Sequence, residues 1–312
     1  MASTTSTSAV LDTSVGQAAF PQPRAVLELL KPVTWFAPMW ALACGVVSAG
    51  LPIAEHWLSI VGAVLLAGPL VCGTSQAAND WFDRHVDAIN EPNRPIPSGR
   101  IPGRWGLWIA VLWTCLSLAV GAALGRWVLA ATVFGLVLAW IYSAPPLRLK
   151  LNGWFGNTAV GLCYEGLPWF TGAAALSAAT MPDSRITALA FLYSVGAFGI
   201  MVLNDFKAIE GDEAMGVRTL PVQLGVTNAA VLACWVMALP QVVVAAMLLQ
   251  QGKPVHAAIV VGVLLAQIAL MPMLVKNPRK RAPLYNATGT TLYVSGMMTS
   301  AFAMRALLSV AA

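Results

Sequence analysis

Residues 57–87 read WLSIVGAVLLAGPLVCGTSQAANDWFDRHVD. From Trp57 to Ala78 there is no charged side chain, and then Asn79, Asp80, Asp83 and Asp87 follow within nine positions. An uncharged run of this length crosses a bilayer as a helix, for which about 20 apolar residues suffice. If the helix continues past the lipid, positions i, i+3 and i+7 share one face. Asp80, Asp83 and Asp87 then form a carboxylate stripe at the membrane surface, with Asn79 at its edge.

Outward from this stretch the same pattern recurs. The chain has 312 residues, 58% of them hydrophobic and only 10% charged, and a mean hydropathy of +0.73. Soluble domains carry about 25% charged residues, and disorder needs low hydrophobicity. Both classes are excluded. The fold class expected is an all-α polytopic membrane protein, with nine transmembrane helices around a central cavity at about 33–53, 57–78, 105–125, 127–144, 158–180, 186–203, 228–250, 255–275 and 287–309. Residues 1–24 are Ser/Thr-rich without an apolar signal core and read as a flexible leader. Residues 25–312 read as one membrane domain. The net charge of +5 is too modest for nucleic-acid binding, and the five isolated cysteines suggest neither a zinc site nor a disulfide framework.

Basic residues give the orientation. With a cytoplasmic N-terminus, that side holds Arg24, Lys31, Arg84, Arg94, Arg100, Arg104, Arg148, Lys150, Lys207, Arg218, Lys276, Arg279, Lys280 and Arg281, and the other only Arg126, Arg185, Lys253 and Arg305. This is the positive-inside asymmetry.

The acids are just as uneven. A second segment, Asn204-Asp205-Phe206-Lys207-Ala208-Ile209-Glu210-Gly211-Asp212, repeats the Asn-Asp start of the first at the end of the sixth span. Stacked carboxylates repel unless a divalent cation neutralises them. Hard oxygen donors without thiolate point to Mg²⁺, which binds through one or two carboxylates together with substrate phosphates. Asn79, Asp80, Asp83, Asp87, Asp205 and Asp212 are the candidate metal-binding residues. Two such stripes facing each other would hold a diphosphate between them; one stripe alone would read equally well as a solvated helix end. Arg94, Arg148, Lys150 and Arg218 stand close in sequence and suit phosphate oxygens, although membrane-surface anchoring explains such residues too.

Glu165 is the only acid well inside an expected span. It should face a cavity or a partner, or else make a structural hydrogen bond. Tyr142, Trp81, Phe82, Trp154, Trp169 and Phe206 are candidates to line an apolar cavity.

These motifs resemble the UbiA-type intramembrane prenyltransferases, whose NDxxDxxxD motif is complete at Asn79, Asp80, Asp83 and Asp87. The second motif of that family often has another Asp where this chain has Ala208. Finer resemblance is to the chlorophyll and bacteriochlorophyll synthase branch, carried by Asp87–Pro92, Arg94–Gly99, Tyr142–Pro146, Cys163–Gly172, Glu210–Asp212 and Leu220–Val222. The resemblance implies Mg²⁺-dependent transfer from geranylgeranyl or phytyl diphosphate to the propionate of (bacterio)chlorophyllide, in a bacterial inner, photosynthetic membrane. It implies catalytic roles for Asp80, Asp83, Asp87, Asp205, Asp212, Arg94, Lys150 and Tyr142. It implies substrate contacts for Asn79, Arg148, Asn204, Lys207, Glu165, Trp169 and Arg218. Membrane lipid and pigment-biosynthesis or photosystem-assembly proteins are the partners it suggests. The rival readings are a prenyltransferase for another aromatic or quinone-precursor acceptor, a transporter and a pigment carrier without turnover. Transporters hold their ionisable groups near the midplane, whereas here the acids cluster at helix ends.

Overall fold

The structure, a computed structural model, describes residues 20–177 and 180–309. The leader expected at 1–24 lies outside the described residues as far as 19, and helix α1 (Pro23–Leu29) already begins within its last residues. Among the described residues there is no strand. One isolated backbone bridge joins Asn152 to Arg218.

The helices follow the uncharged runs. After α1 a short 3-10 turn, Pro32–Trp35, leads into α2 (Phe36–Ser48), and the two arms meet at 40°. Next comes a run built from α3 (Trp57–Leu65), a π-helical segment (Leu66–Cys72) and α4 (Gly73–Asn90). Pro69 within the π segment cannot donate a backbone hydrogen bond, and the indole of Trp113 donates to its carbonyl at 3.1 Å. Helix α4 continues to Asn90, so the three aspartates of the first segment do share one helix. It stops where Glu91 precedes Pro92, a position disfavoured for α-helix.

Helices α5 (Trp105–Leu124) and α6 (Arg126–Ser143) follow, then α7 (Gly153–Gly161), a second π-helical segment (Leu162–Gly166) and α8 (Leu167–Leu176) in one continuous rod. The second half holds α9 (Ser184–Asp205), the short α10 (Ile209–Ala214) and α11 (Leu220–Leu224), and the long α12 (Val226–Gln250), α13 (Pro254–Lys276) and α14 (Pro278–Leu308). Helix α14 starts at Pro278, earlier than the span expected at 287. The Asn277 side chain accepts from Lys280 N at 3.4 Å, and a proline is preorganised for the first turn.

Six described helical runs are long and apolar enough to cross a membrane, and a seventh is the bent pair α1 and α2. The rod Gly153–Leu176 and helix α14 are too polar for that count, because they carry Asn157, Glu165, Asn286 and Thr290. Long apolar helices of this number make the protein a multi-pass membrane protein.

Packing relies on close backbone approach. A Cβ at Gly45 would stand 1.9 Å from the carbonyl oxygen of Trp169, and one at Gly172 would stand 2.2 Å from that of Leu42. Only glycine allows α2 and α8 to touch in this way, as at many membrane helix interfaces. The largest buried cluster joins α9, α12, α13 and α14 to α2 and α8. A cavity of about 870 Å³ opens between the two halves of the bundle.

Candidate functional site

Asn79 and Asn204, the first residues of the two acidic segments, both line this one cavity. Each asparagine is fixed by a neighbouring helix. The Asn79 amide donates to Ser143 Oγ at 3.1 Å, and Asn204 Oδ1 accepts from Asn286 Nδ2 at 2.9 Å. The repeat seen in the sequence is thus a pair of equivalent helix ends around one space.

In the first segment every aspartate meets a cation. Asp80 is buried, and its Oδ1 lies 2.7 Å from Lys31 Nζ and 3.4 Å from Arg94 Nη1. Arg94 also reaches Asp87 Oδ2 at 2.9 Å while its Nε holds Glu91 at 2.6 Å. Asp83 pairs with Lys150, and Arg148 Nη2 stands 3.6 Å from its other oxygen. Burial pushes the Lys150 ammonium below its ordinary value, opposed by the hydrogen bond and charge of Asp83.

Lys31 was counted in the sequence only as an orientation charge. Its signal was its place, immediately before Pro32 at the cytoplasmic end of the first span. Lys31 (φ 46°) and Arg148 (φ 41°) are the only non-glycine residues with positive φ among the described residues. Both direct their side chains onto this carboxylate stripe, and such backbone strain concentrates at functional sites.

The second segment is held by neutral donors. Asp205 Oδ2 accepts from Asn157 Nδ2 at 3.1 Å, and Asp212 Oδ2 accepts from Thr219 Oγ1 at 3.1 Å. Burial raises the Asp212 carboxyl above the usual range, with the Thr219 hydroxyl opposing. Lys207 and Arg218 are exposed and form no ion pair among the described residues. Arg218 serves through its backbone, its N–H bonding Leu151 O at 2.9 Å and its carbonyl accepting from Gly153 N at 2.8 Å.

Of the aromatic candidates only Tyr142 lines the cavity. Trp81 lies beneath the Arg84 guanidinium at 4.1 Å, and Phe82 meets Trp140 edge-on. Trp154 packs on Phe198, and Phe206 belongs to the core. Trp169 is wholly buried, stacked on Tyr193 and donating to Ser48 Oγ at 3.1 Å. Glu165 does reach the cavity, presented by the π-helical segment Leu162–Gly166.

Among the described residues no three His, Cys, Asp or Glu side chains converge as a ready-made cation cage. The donors offered are hard oxygens nonetheless. Asp80 Oδ2 is buried without a partner, while Asp205 and Asp212 accept only from neutral groups. That set fits a divalent ion that keeps waters and completes its shell with phosphate.

Comparison with known proteins agrees with this geometry. The chain is 60% identical over 287 residues to the bacteriochlorophyll synthase 33 kDa chain of Cereibacter sphaeroides, covering 92% of this chain and 95% of that one. It is 39% identical to the chloroplastic chlorophyll synthase of Oryza sativa, over 89% of this chain and 76% of the relative. Among solved structures, a UbiA homologue from Archaeoglobus fulgidus bound to DMAPP and Mg²⁺ superposes with a TM-score of 0.67 at 21% identity, covering 86% of this chain and 99% of the other. The pattern of the UbiA prenyltransferase family matches residues 32–296, and the chain belongs to that family.

Proposed function

We propose that this enzyme transfers the prenyl group of geranylgeranyl or phytyl diphosphate to the propionate carboxylate of a (bacterio)chlorophyllide, giving the esterified pigment. The observation that carries this reading is the meeting of both Asn-Asp helix ends at one cavity, with four cations on the first of them. The identity to bacteriochlorophyll synthase supports the choice of acceptor.

Asp80, Asp83, Asp87, Asp205 and Asp212, with Asn79, are the residues that would hold Mg²⁺, which when bound supplies Lewis-acid neutralisation of the diphosphate. Arg94, Lys150, Arg148 and Lys31 donate to diphosphate oxygens, where charge develops as the allylic C–O bond breaks. The leaving diphosphate keeps that electron pair, and a propionate oxygen forms the new ester C–O bond. A carboxylic acid with a pKa near 4.3 is already ionised at neutral pH, so the chain need supply no strong base. Its task is to bring the two reactants together. The apolar wall of the cavity takes the prenyl chain and the macrocycle, and the Tyr142 ring gives an aromatic face to the allylic cation.

The basic asymmetry supports a cytoplasmic N-terminus, nine crossings and a site at the cytoplasmic face of a bacterial inner membrane. The test is an assay of membranes containing the protein with Mg²⁺, geranylgeranyl diphosphate and either chlorophyllide or bacteriochlorophyllide. Esterified pigment from at least one acceptor is expected; none from either would overturn the assignment.

A further inference from the structure

Glu165 is the only acidic or basic side chain lining the cavity among the described residues. It is 4% exposed, its Oε2 is buried without a hydrogen-bond partner, and no lysine or arginine pairs with it among the described residues. An isolated buried carboxylate is so costly that the group takes up a proton instead. A neutral carboxyl in an apolar wall is a hydrogen-bond donor waiting for a carbonyl.

The rod that carries it gives its depth. Asn157 on the same rod bonds Asp205, and so marks the level of the acidic helix end. Glu165 lies eight residues farther along, roughly 12 Å at the helical rise. An acceptor whose propionate sits at the acidic end lays its macrocycle along this distance. The ketone of the fifth ring lies close to the propionate, too near to reach that depth. The acetyl group that bacteriochlorophyllide carries, where chlorophyllide carries a vinyl, lies farther away.

We infer that Glu165 is a specificity-determining residue, whose neutral carboxyl donates a hydrogen bond to the acetyl oxygen of the acceptor. The inference rests on the acceptor reading above. It explains why a polar side chain is kept at this depth: a buried donor left unpaired by the vinyl compound penalises that compound.

The experiment compares two acceptors that differ only in acetyl against vinyl at this position, each with Mg²⁺ and geranylgeranyl diphosphate. Wild-type protein should favour the acetyl compound in kcat/KM by roughly tenfold. Glu165→Leu should bring the pair near parity, and Glu165→Gln, which still donates, should keep most of the preference. An unchanged ratio in Glu165→Leu would overturn the inference, as would loss of the ratio in Glu165→Gln. The vibrational spectrum of the acetyl acceptor bound to wild-type protein gives a readout independent of any variant's folding. Its acetyl stretch should be lowered, and a stretch at the unbonded frequency would refute the contact. Wild-type protein inactive on both acceptors would instead strike the functional reading itself.

Discussion

The two acidic helix ends share a sequence pattern but differ in how the fold treats them. At the first, Lys31, Arg94, Arg148 and Lys150 press against Asp80, Asp83 and Asp87. At the second, Asp205 and Asp212 receive an amide and a hydroxyl, without a lysine or arginine in contact among the described residues. The first end therefore has its charge balanced by mobile cations, which can move from carboxylate to diphosphate. The second keeps carboxylate charge that only a metal ion can match. One end gathers phosphate donors, and the other is an acceptor of cations.

This contrast can be broken by experiment. The largest effect should come from Asp80→Asn, which removes the buried partner of both Lys31 and Arg94. Turnover should fall by roughly 10³-fold, measured as esterified pigment in membranes that contain the normal amount of inserted protein. Wild-type activity in this variant would remove the metal role from the first segment. Asp205→Asn should cost roughly 10²-fold and raise the Mg²⁺ concentration needed for half-maximal rate. If Asp80→Asn and Asp205→Asn shift that Mg²⁺ requirement equally, the two ends are not specialised as described.

Lys31→Ala should act mainly on the donor, raising the KM for geranylgeranyl diphosphate by roughly tenfold, as loss of one charge-assisted contact implies. An unchanged donor KM would return Lys31 to a purely structural ion pair. The smallest effect belongs to Thr219→Ala, which removes a single neutral hydrogen bond from Asp212 and should cost a factor of roughly 3 to 10. Titration of the rate against Mg²⁺ would show whether that loss lies in metal affinity. A chelator should stop turnover in all active forms, with recovery on adding Mg²⁺ in excess.

Much of this was legible without coordinates. Sparse charge made each acid conspicuous, and spacing alone put Asp80, Asp83 and Asp87 on one helical face, as α4 does. Arg94, Arg148 and Lys150 were close in sequence to the acids they meet. Lys31 was not, since 49 positions separate it from Asp80, and nothing local marks a partner so distant. Asn157 and Asn286 were hidden for the same reason. Trp169 misled in the opposite way: a wide aromatic beside Glu165 in sequence turns into the core, because the π segment sends Glu165 toward the cavity while Gly172 docks α8 against α2.

What the sequence determined by itself is the solvent and the chemistry. Uncharged runs of about 20 residues can be stable only in lipid, and acids placed at their ends can only serve the interface. Tertiary structure decided which carboxylates are matched by lysine and arginine and which by neutral groups. It also decided that a lone glutamic acid faces an apolar space. Those outcomes depend on contacts between helices far apart in the chain, and no local periodicity encodes which faces will meet.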